Sequence, residues 1–365
     1  DGIDAVLLRW DGAGQTPRSL AHVHTDLDAN LKAELLALNQ PGPDELHRAW
    51  LAGHALALAY AAAVDRLLQA TGLQPADILA IGAHGQTVRH QPQGRADALP
   101  GRLPDAAYTI QLNQPAVLAE RTGIDVVADF RSRDLAAGGQ GAPLVPAFHR
   151  EVFGLAGQTL GVLNIGGIAN LTVLGPGDAT LGFDCGPGNA LLDHWCERHT
   201  GAPYDDRGRW AAGGRVDPAL LALLQKEPFL ERDPPKSTGR DLFNPDWLAS
   251  RLATLPPISP VDVQATLTAF TAHACAASVL RYGQGLKRLV VCGGGAFNDQ
   301  LMGLLAAALP GVAVESSEAL GLPPLQVEAA AFAWLAYRAM RREPGNLTSV
   351  TGARGARVLG AIYPR

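Results

Sequence analysis

Between positions 164 and 189 the chain reads NIGGIANLTVLGPGDATLGFDCGPGN. Asp184 stands there between the apolar Phe183 and the small pair Cys185-Gly186. A carboxylate at a strand end, inside a glycine-rich turn, is a candidate general base. Gly166, Gly167, Gly186 and Gly188 let backbone approach a ligand closely and reach positive φ. Exposed N–H groups on such tips suit phosphate oxygens. One glycine pair alone is as well explained by a tight turn. The whole set, with Asn170, Asn189 and one acid, points to a site that handles phosphate.

The elements that position these residues follow from the flanking pattern. Three apolar runs, TLGVLNIGG, IANLTVL and the run ending GFDCGPGN, read as adjacent strands. Further on, RLVVCGGGAFND reads as a buried strand ending in Gly293, Gly294 and Gly295, with a helix from about Ala296. Strand, glycine turn, helix is a nucleotide geometry. Residues 262–281 carry Val263, Leu267, Phe270, Ala274 and Ala277 at helical spacing and predict an amphipathic helix. Residues 201–246 read as a polar, loop-rich stretch. Within it, KSTGR is equally a surface loop or a substrate contact, and it is not a phosphate loop, since no GxxxxGK[ST] occurs.

The N-terminal part opens with DGIDAVLLRW, an acidic glycine turn running into a strand. Helices are expected at about 26–39 and 43–70, then a strand at 77–90 with a polar tip of His84, Gln86, Thr87, Arg89 and His90. The two histidines have no third ligand at matching spacing, which argues against a metal there. AYTIQL is a strand, PAVLAERTG a short helix, and IDVVADFRSRD another strand whose tip carries Asp129, Arg131, Arg133 and Asp134. Such a tip is either a solvated ion-pair cluster or, following an apolar strand, a ligand contact. Glu328 interrupts an apolar helix near the C-terminus. It is either a satisfied groove residue or one that faces a cleft.

At 365 residues the chain has room for two α/β domains. They are expected at 1–135, joined by 345–365, and at 136–344. With 47% hydrophobic and 18% charged residues, and a net charge of −5, nothing suggests a nucleic-acid or membrane surface. No apolar run is long enough to span a bilayer on this reading. Cys185, Cys196, Cys275 and Cys292 show no CxxC spacing and no metal pattern; three lie in apolar runs, as reduced core residues do.

Taken in order, the motifs resemble the anhydro-N-acetylmuramic acid kinase family, within the actin-like, sugar-kinase and heat-shock ATPase fold. The resemblance runs through DGIDAVL, GAHGQTVRH, the stretch 109–149, NIGGIANLT, GFDCGPGNALLD, KSTGRDLFN, VCGGGAFND and GLPPLQVEAAAFAWLA. It implies a two-domain mixed α/β fold, ATP and Mg2+ as cofactors, a sugar substrate, a homodimer and a bacterial cytoplasmic location. The implied reaction opens the internal ether of 1,6-anhydro-N-acetylmuramic acid with water and phosphorylates O6, in cell-wall recycling. Asp184 matches the family's catalytic aspartate. Asp1, Gly2, Ile3 and Asp4 match the end of its ATP loop, with Mg2+ held through water by Asp1 and Asp4. Gly166, Gly167, Asn170 and Gly293–Gly295 are expected at ATP. His84, Gln86, Thr87, Asp129, Arg131, Asp134, Asn189 and Glu328 are expected at the sugar. Family members place a strand and a GTS-containing turn before DGID. Without them, strand IDAVLLRW is expected to lack its hairpin partner and ATP binding to be weak. The alternatives are an ordinary hexosamine kinase of the same fold, or a non-catalytic module switched by ATP.

Overall fold

The computed structural model describes residues 2–10, 17–94, 107–155, 157–177, 179–239 and 242–365. The chain divides into two compact units: Asp1–Val152 with Glu328–Arg365, and Phe153–Val327. The division therefore falls later than 135 and earlier than 345. Aromatic contacts give the reason: Phe148 packs on Trp334, and Phe332 packs on both His84 and Phe130. The helix Val327–Met340 thus brings Glu328 into the first unit.

In the first unit, strand Gly2–Arg9 pairs antiparallel with Arg18–Asp26 along its length. That partner is the strand that follows it, whereas the expected loss concerned a preceding one. The helix Glu45–Thr71 buries Leu56, Ala57, Ala63 and Leu67 on one face and ends at Gly72 with φ +70°, a left-handed stop that glycine adopts without strain. The chain expected to be one strand at 77–90 is broken at Gly85, whose φ is +78°. Ile81–Gly82 joins a three-stranded sheet in the order Ala361–Tyr363, Val126–Ala128, Ile81–Gly82; Gln86–Gln91 pairs instead with Tyr108–Leu112. Strand Val126–Ala128 is likewise shorter than the sequence suggests. Asp129 turns the chain with φ +56°, and a helix, Ser132–Ala136, follows.

The second unit is built on a five-stranded sheet in the order Ala313–Ser316, Arg288–Cys292, Leu160–Ile165, Ile168–Leu174, Thr180–Pro187. The three strands from Leu160 to Pro187 form an antiparallel meander, and Arg288–Cys292 lies parallel to both of its neighbours. One face, with Leu163, Ile165, Leu171, Val173, Phe183 and Cys185, packs against Ala272, Cys275 and Val279 of helix Pro260–Tyr282 and Leu301 and Leu305 of helix Asp299–Ala308.

Helix Pro260–Tyr282 is buried nearly all round rather than amphipathic, and Ala277 is exposed. Three of its hydroxyls turn back on their own helix, while the Thr271 hydroxyl donates to the Gly188 carbonyl (3.2 Å). Thr266 donates to the Asp262 carbonyl (2.7 Å), Thr268 to Gln264 (2.9 Å) and Ser278 to Ala274 (3.0 Å). By length and composition this helix and Glu45–Thr71 could each cross a membrane, contrary to expectation. Here the first is the core helix of its unit, and the second packs on strand Gly2–Arg9 and helix Pro115–Thr122.

The stretch 201–246 is not mainly loop. Helices Pro218–Leu224, Pro228–Glu231 and Pro245–Leu252 each begin on proline behind a side-chain cap from Asp217, Glu227 and Asn244. Leu220, Leu224, Phe229, Phe243 and Leu248 join Leu191, Leu192, Trp195 and Phe270 in a second core. Helices of eight residues or fewer carry too little periodicity to be read from sequence.

Asp134 is fully buried and is not a sugar contact. Its Oδ2 accepts from the Gly141 N–H (2.8 Å), and its Oδ1 from Asn346 Nδ2 (2.7 Å) and Thr351 Oγ1 (2.8 Å). It therefore ties the turn after helix Ser132–Ala136 to the C-terminal segment. Asp134→Ala removes three buried hydrogen bonds and should cost about 3 kcal/mol, at roughly 1 kcal/mol for each, read as a lower denaturation midpoint in urea. An unchanged midpoint would remove this structural role.

Candidate active site

Alternation along the strands sorts the second unit's sheet into an apolar face and a polar row. Leu163, Ile165, Leu171, Phe183 and Cys185 face the core. Their neighbours Asn164, Asn170 and Asp184 therefore point to the opposite face. Asn164 pairs with Asn170, Asn170 with Asp184, and Cys292 with Asn164, so four polar side chains stand abreast across four strands. Asn164 and Cys292 were not read as site residues. Strand period was the available signal, once the register is known.

Three glycine turns cap the same end of these strands. The Gly188 N–H donates to the Gly167 carbonyl (3.0 Å), and the Asn189 N–H to that of Gly166 (2.7 Å). A Cβ on Gly188 would lie 2.2 Å from the Gly166 carbonyl oxygen, so only glycine permits this interlock. Asn189 Nδ2 donates to the Ile165 carbonyl (3.1 Å). Gly293 adopts φ +77°, and a Cβ there would meet Asn164 Oδ1 at 2.5 Å. The third turn thus closes over the first. The carboxyl ends of parallel strands are where open α/β sheets keep their ligands, and this cradle of crowded backbone lies there.

Asp184 stands at the edge of this cradle, half-buried. Its Oδ2 accepts from the Thr238 N–H at 2.9 Å, and its own N–H donates to the Lys236 carbonyl at 3.2 Å. Burial pushes its carboxyl up to about 6, against the opposing pull of the Thr238 N–H and the Lys236 ammonium. A carboxyl poised there accepts a proton near neutrality. Within KSTGR the lysine is therefore no surface residue, although Ser237 beside it is exposed. Lys236 is 9% exposed and backs the strand that carries Asp184.

In the first unit, Arg131 donates from Nε to His84 Nε2 (3.0 Å) and from Nη1 to the Gly141 carbonyl (2.8 Å). The His84 ring lies 4.4 Å from Phe332. Burial first, and Arg131 second, bring the imidazole down to about 3, so it is neutral and accepts from Arg131. Glu328 is exposed, and its carboxyl is pushed up by desolvation, opposed by Arg131 and reinforced by Asp4. His84, Arg131 and Glu328 therefore share one electrostatic environment. Asp129 is exposed, holds φ +56° and accepts from Ser132 Oγ at 2.5 Å; such a conformation in a non-glycine residue is costly and concentrates at functional sites. Gln86 and Thr87 lie on the separate strand Gln86–Gln91. Gln86 is exposed, and Thr87 Oγ1 accepts from Gln111 Nε2 (3.2 Å).

At the N-terminal hairpin, Asp4 Oδ1 meets His22 Nε2 (2.9 Å) and His24 Nδ1 (3.0 Å). These histidines were missed; both lie on the paired strand, His24 directly opposite Asp4. Ile3 is buried against Leu56 and Ala63, so only its backbone is available to a phosphate. A Cβ on Gly2 would lie 2.5 Å from the Thr25 carbonyl oxygen. Asp1 lies outside the described residues. Among the described residues, no group of three or more His, Cys, Asp or Glu is placed to hold a metal ion.

Asp184 also sets a pH signature. A carboxyl held at about 6 against its ordinary 3.8 costs the folded state about 3 kcal/mol once ionised in both states. That cost is absent below its ordinary value and grows as pH rises towards 6. Asp184→Asn should therefore be more stable than the parent at neutral pH, with the gap closing below about pH 4. Thermal midpoints across pH measure this; a constant gap would refute it.

The whole chain, residues 1–365, matches the family described as anhydro-N-acetylmuramic acid kinase. It is 60% identical over 369 residues to the anhydro-N-acetylmuramic acid kinase of Variovorax paradoxus (strain S110), covering 100% of this chain and 96% of that one. It is 56% identical over 384 residues to the one from Albidiferax ferrireducens (strain ATCC BAA-621 / DSM 15236 / T118), with the same two coverages. A solved ROK family glucokinase from Streptomyces griseus, in complex with glucose and AMPPNP, matches 93% of this chain and 100% of its own at a TM-score of 0.39 and 14% identity. A family match over residues 1–365, with relatives 60% and 56% identical over the whole chain, places the chain in the anhydro-N-acetylmuramic acid kinase family.

Proposed function

We propose that this protein uses ATP and water to convert 1,6-anhydro-N-acetylmuramic acid into N-acetylmuramic acid 6-phosphate, in the recycling of cell-wall sugars. The observation that carries the reading is Asp184, which stands beside the glycine turns, accepts from the Thr238 N–H and has a carboxyl raised to about 6. Asp184 takes a proton from the attacking water, whose oxygen bonds to C1. The C1–O6 bond breaks, and O6 accepts the γ-phosphoryl group as ADP leaves. One carboxylate thereby serves both ring opening and transfer, because the oxygen released by the first is the acceptor in the second. The turns at Gly166–Gly167 and Gly294–Gly295 offer backbone N–H groups to phosphate oxygens, while Gly188, Asn189 and Gly293 spend theirs on neighbouring carbonyls and so brace those turns, which suits a reaction governed by positioning and charge.

Mg2+ neutralises charge on the transferred group in such reactions. Asp4 fits a hydrated cation: both histidines converge on Oδ1, so Oδ2 is the oxygen that bound water would meet. Asp1 would share that role. Arg131 is the partner for the substrate's lactyl carboxylate, with Asp129, Glu328, Gln86 and Thr87 directed at its hydroxyl and amide groups. Asn189 and Asn170 lie on the phosphate side. Asp134 has no part in this set. The active species is a cytoplasmic homodimer on this reading.

With anhydro-sugar, ATP and Mg2+, turnover in 18O-labelled water should place the label on C1 of the phosphorylated product. Asp184→Asn should keep nucleotide binding and lose turnover on the order of 10²–10⁴-fold. Near-normal turnover by that variant, or unlabelled C1, defeats the reading.

A separate measurement tests the sugar side. Arg131→Ala removes a charge-assisted contact and should raise KM for the anhydro-sugar by about 10- to 100-fold, with KM for ATP little changed. Equal effects on both substrates would count against it.

A further inference from the structure

We propose that Lys236 is a positioning residue for Asp184: it fastens the extended segment 236–238 along the outer edge of strand Thr180–Pro187 and supplies the cation that favours the ionised base. The inference rests on Asp184 being the general base. Thr180–Pro187 is the last strand of its sheet, so one edge of its backbone would be open. The segment from Lys236 to Thr238 covers that edge at Asp184. The Asp184 N–H donates to the Lys236 carbonyl (3.2 Å), and the Thr238 N–H returns to Asp184 Oδ2 (2.9 Å). The two contacts grip the aspartate by backbone and side chain together. They engage Oδ2 and leave Oδ1 as the oxygen for water.

The Lys236 side chain is what holds this segment in place. It is buried, and Nζ donates to the Leu230 carbonyl (3.0 Å) and the Phe229 carbonyl (3.4 Å). The ammonium lies 5.0 Å from the centre of the Phe229 ring and 5.7 Å from that of Phe183, the residue before Asp184. The end of helix Pro228–Glu231, the clamp segment and the catalytic strand are thus fixed to one another through a single cation. Its own charged surroundings are Arg281, which opposes the ammonium, and Glu231, Asp233 and Cys185, which favour it. For Asp184, Lys236 is the charged neighbour that favours ionisation and the Thr238 N–H the polar one. A buried lysine without a carboxylate in contact is expensive, and two carbonyls and two ring faces compensate it here.

The test is the acid limb of the kcat–pH profile. Lys236→Met removes the cation and its donors; Lys236→Gln keeps a donor for the two carbonyls and removes only the charge. Both should move the acid limb to higher pH, by about one pH unit, while KM for ATP stays put. Lys236→Arg should restore the limb. Thr238→Ala keeps the backbone donor and should leave it in place. If Lys236→Gln folds with the limb unmoved, or if Lys236→Arg fails to restore it, the lysine is merely structural and the proposal falls. Asp184→Asn separates the two readings. Persistence of the limb in that variant would defeat the base assignment itself. Its disappearance there, with no movement in Lys236→Gln, would defeat the Lys236 proposal alone.

Discussion

Everything in the second unit depends on keeping one carboxylate partly out of water without neutralising it. Desolvation of Asp184 raises its proton affinity towards neutrality, and the Thr238 N–H and Lys236 stop the rise at about 6. A direct ion pair would hold the group ionised and weaken it as a base; full burial would keep it protonated. The fold reaches the intermediate state by placing the acid on an edge strand, where one backbone segment covers it from the side. The apolar face of the same strand is locked by Phe183 and Cys185, so the polar face cannot slip without turning the core outward.

Close backbone approach is the second constraint. Gly188 against Gly166, and Gly293 against Asn164, leave no room for a Cβ. The N–H groups of Gly188, Asn189 and Gly293 are spent on neighbouring carbonyls, which fixes the backbone of Gly166–Gly167 and Gly294–Gly295 before a ligand arrives. Such preorganisation is what phosphoryl transfer asks of a protein, since little covalent chemistry falls to the side chains.

In the first unit the organising contact is His84 with Arg131. The neutral imidazole accepts one guanidinium N–H and packs at a tilt against Phe332, which fixes the arginine's position. Glu328 arrives from the distant helix Val327–Met340 to share that arginine's field. Asp134, three residues further along, does the opposite work, spending both carboxylate oxygens on the fold. The charges of one short run, Asp129 to Asp134, thus divide between surface and core.

The sequence by itself determined the strands and glycine turns of the second unit, because long apolar runs ending in glycine have few other readings, and it singled out Asp184 from its place at such an end. It also determined the family, through motifs spread over nearly the whole chain. Tertiary structure alone decided the rest. The polar row of Asn164, Asn170 and Asp184 exists only through strand register, and His22 and His24 reach Asp4 only through pairing in a hairpin. The run KSTGR looks like surface because its lysine is charged; burial against two aromatic rings and two carbonyls reverses that for the lysine. Asp134 and Arg131 stand three residues apart in similar company, and nothing local tells them apart. One is closed in by Asn346 and Thr351 from the far end of the chain, and long-range contacts of that kind leave no trace in the neighbouring sequence.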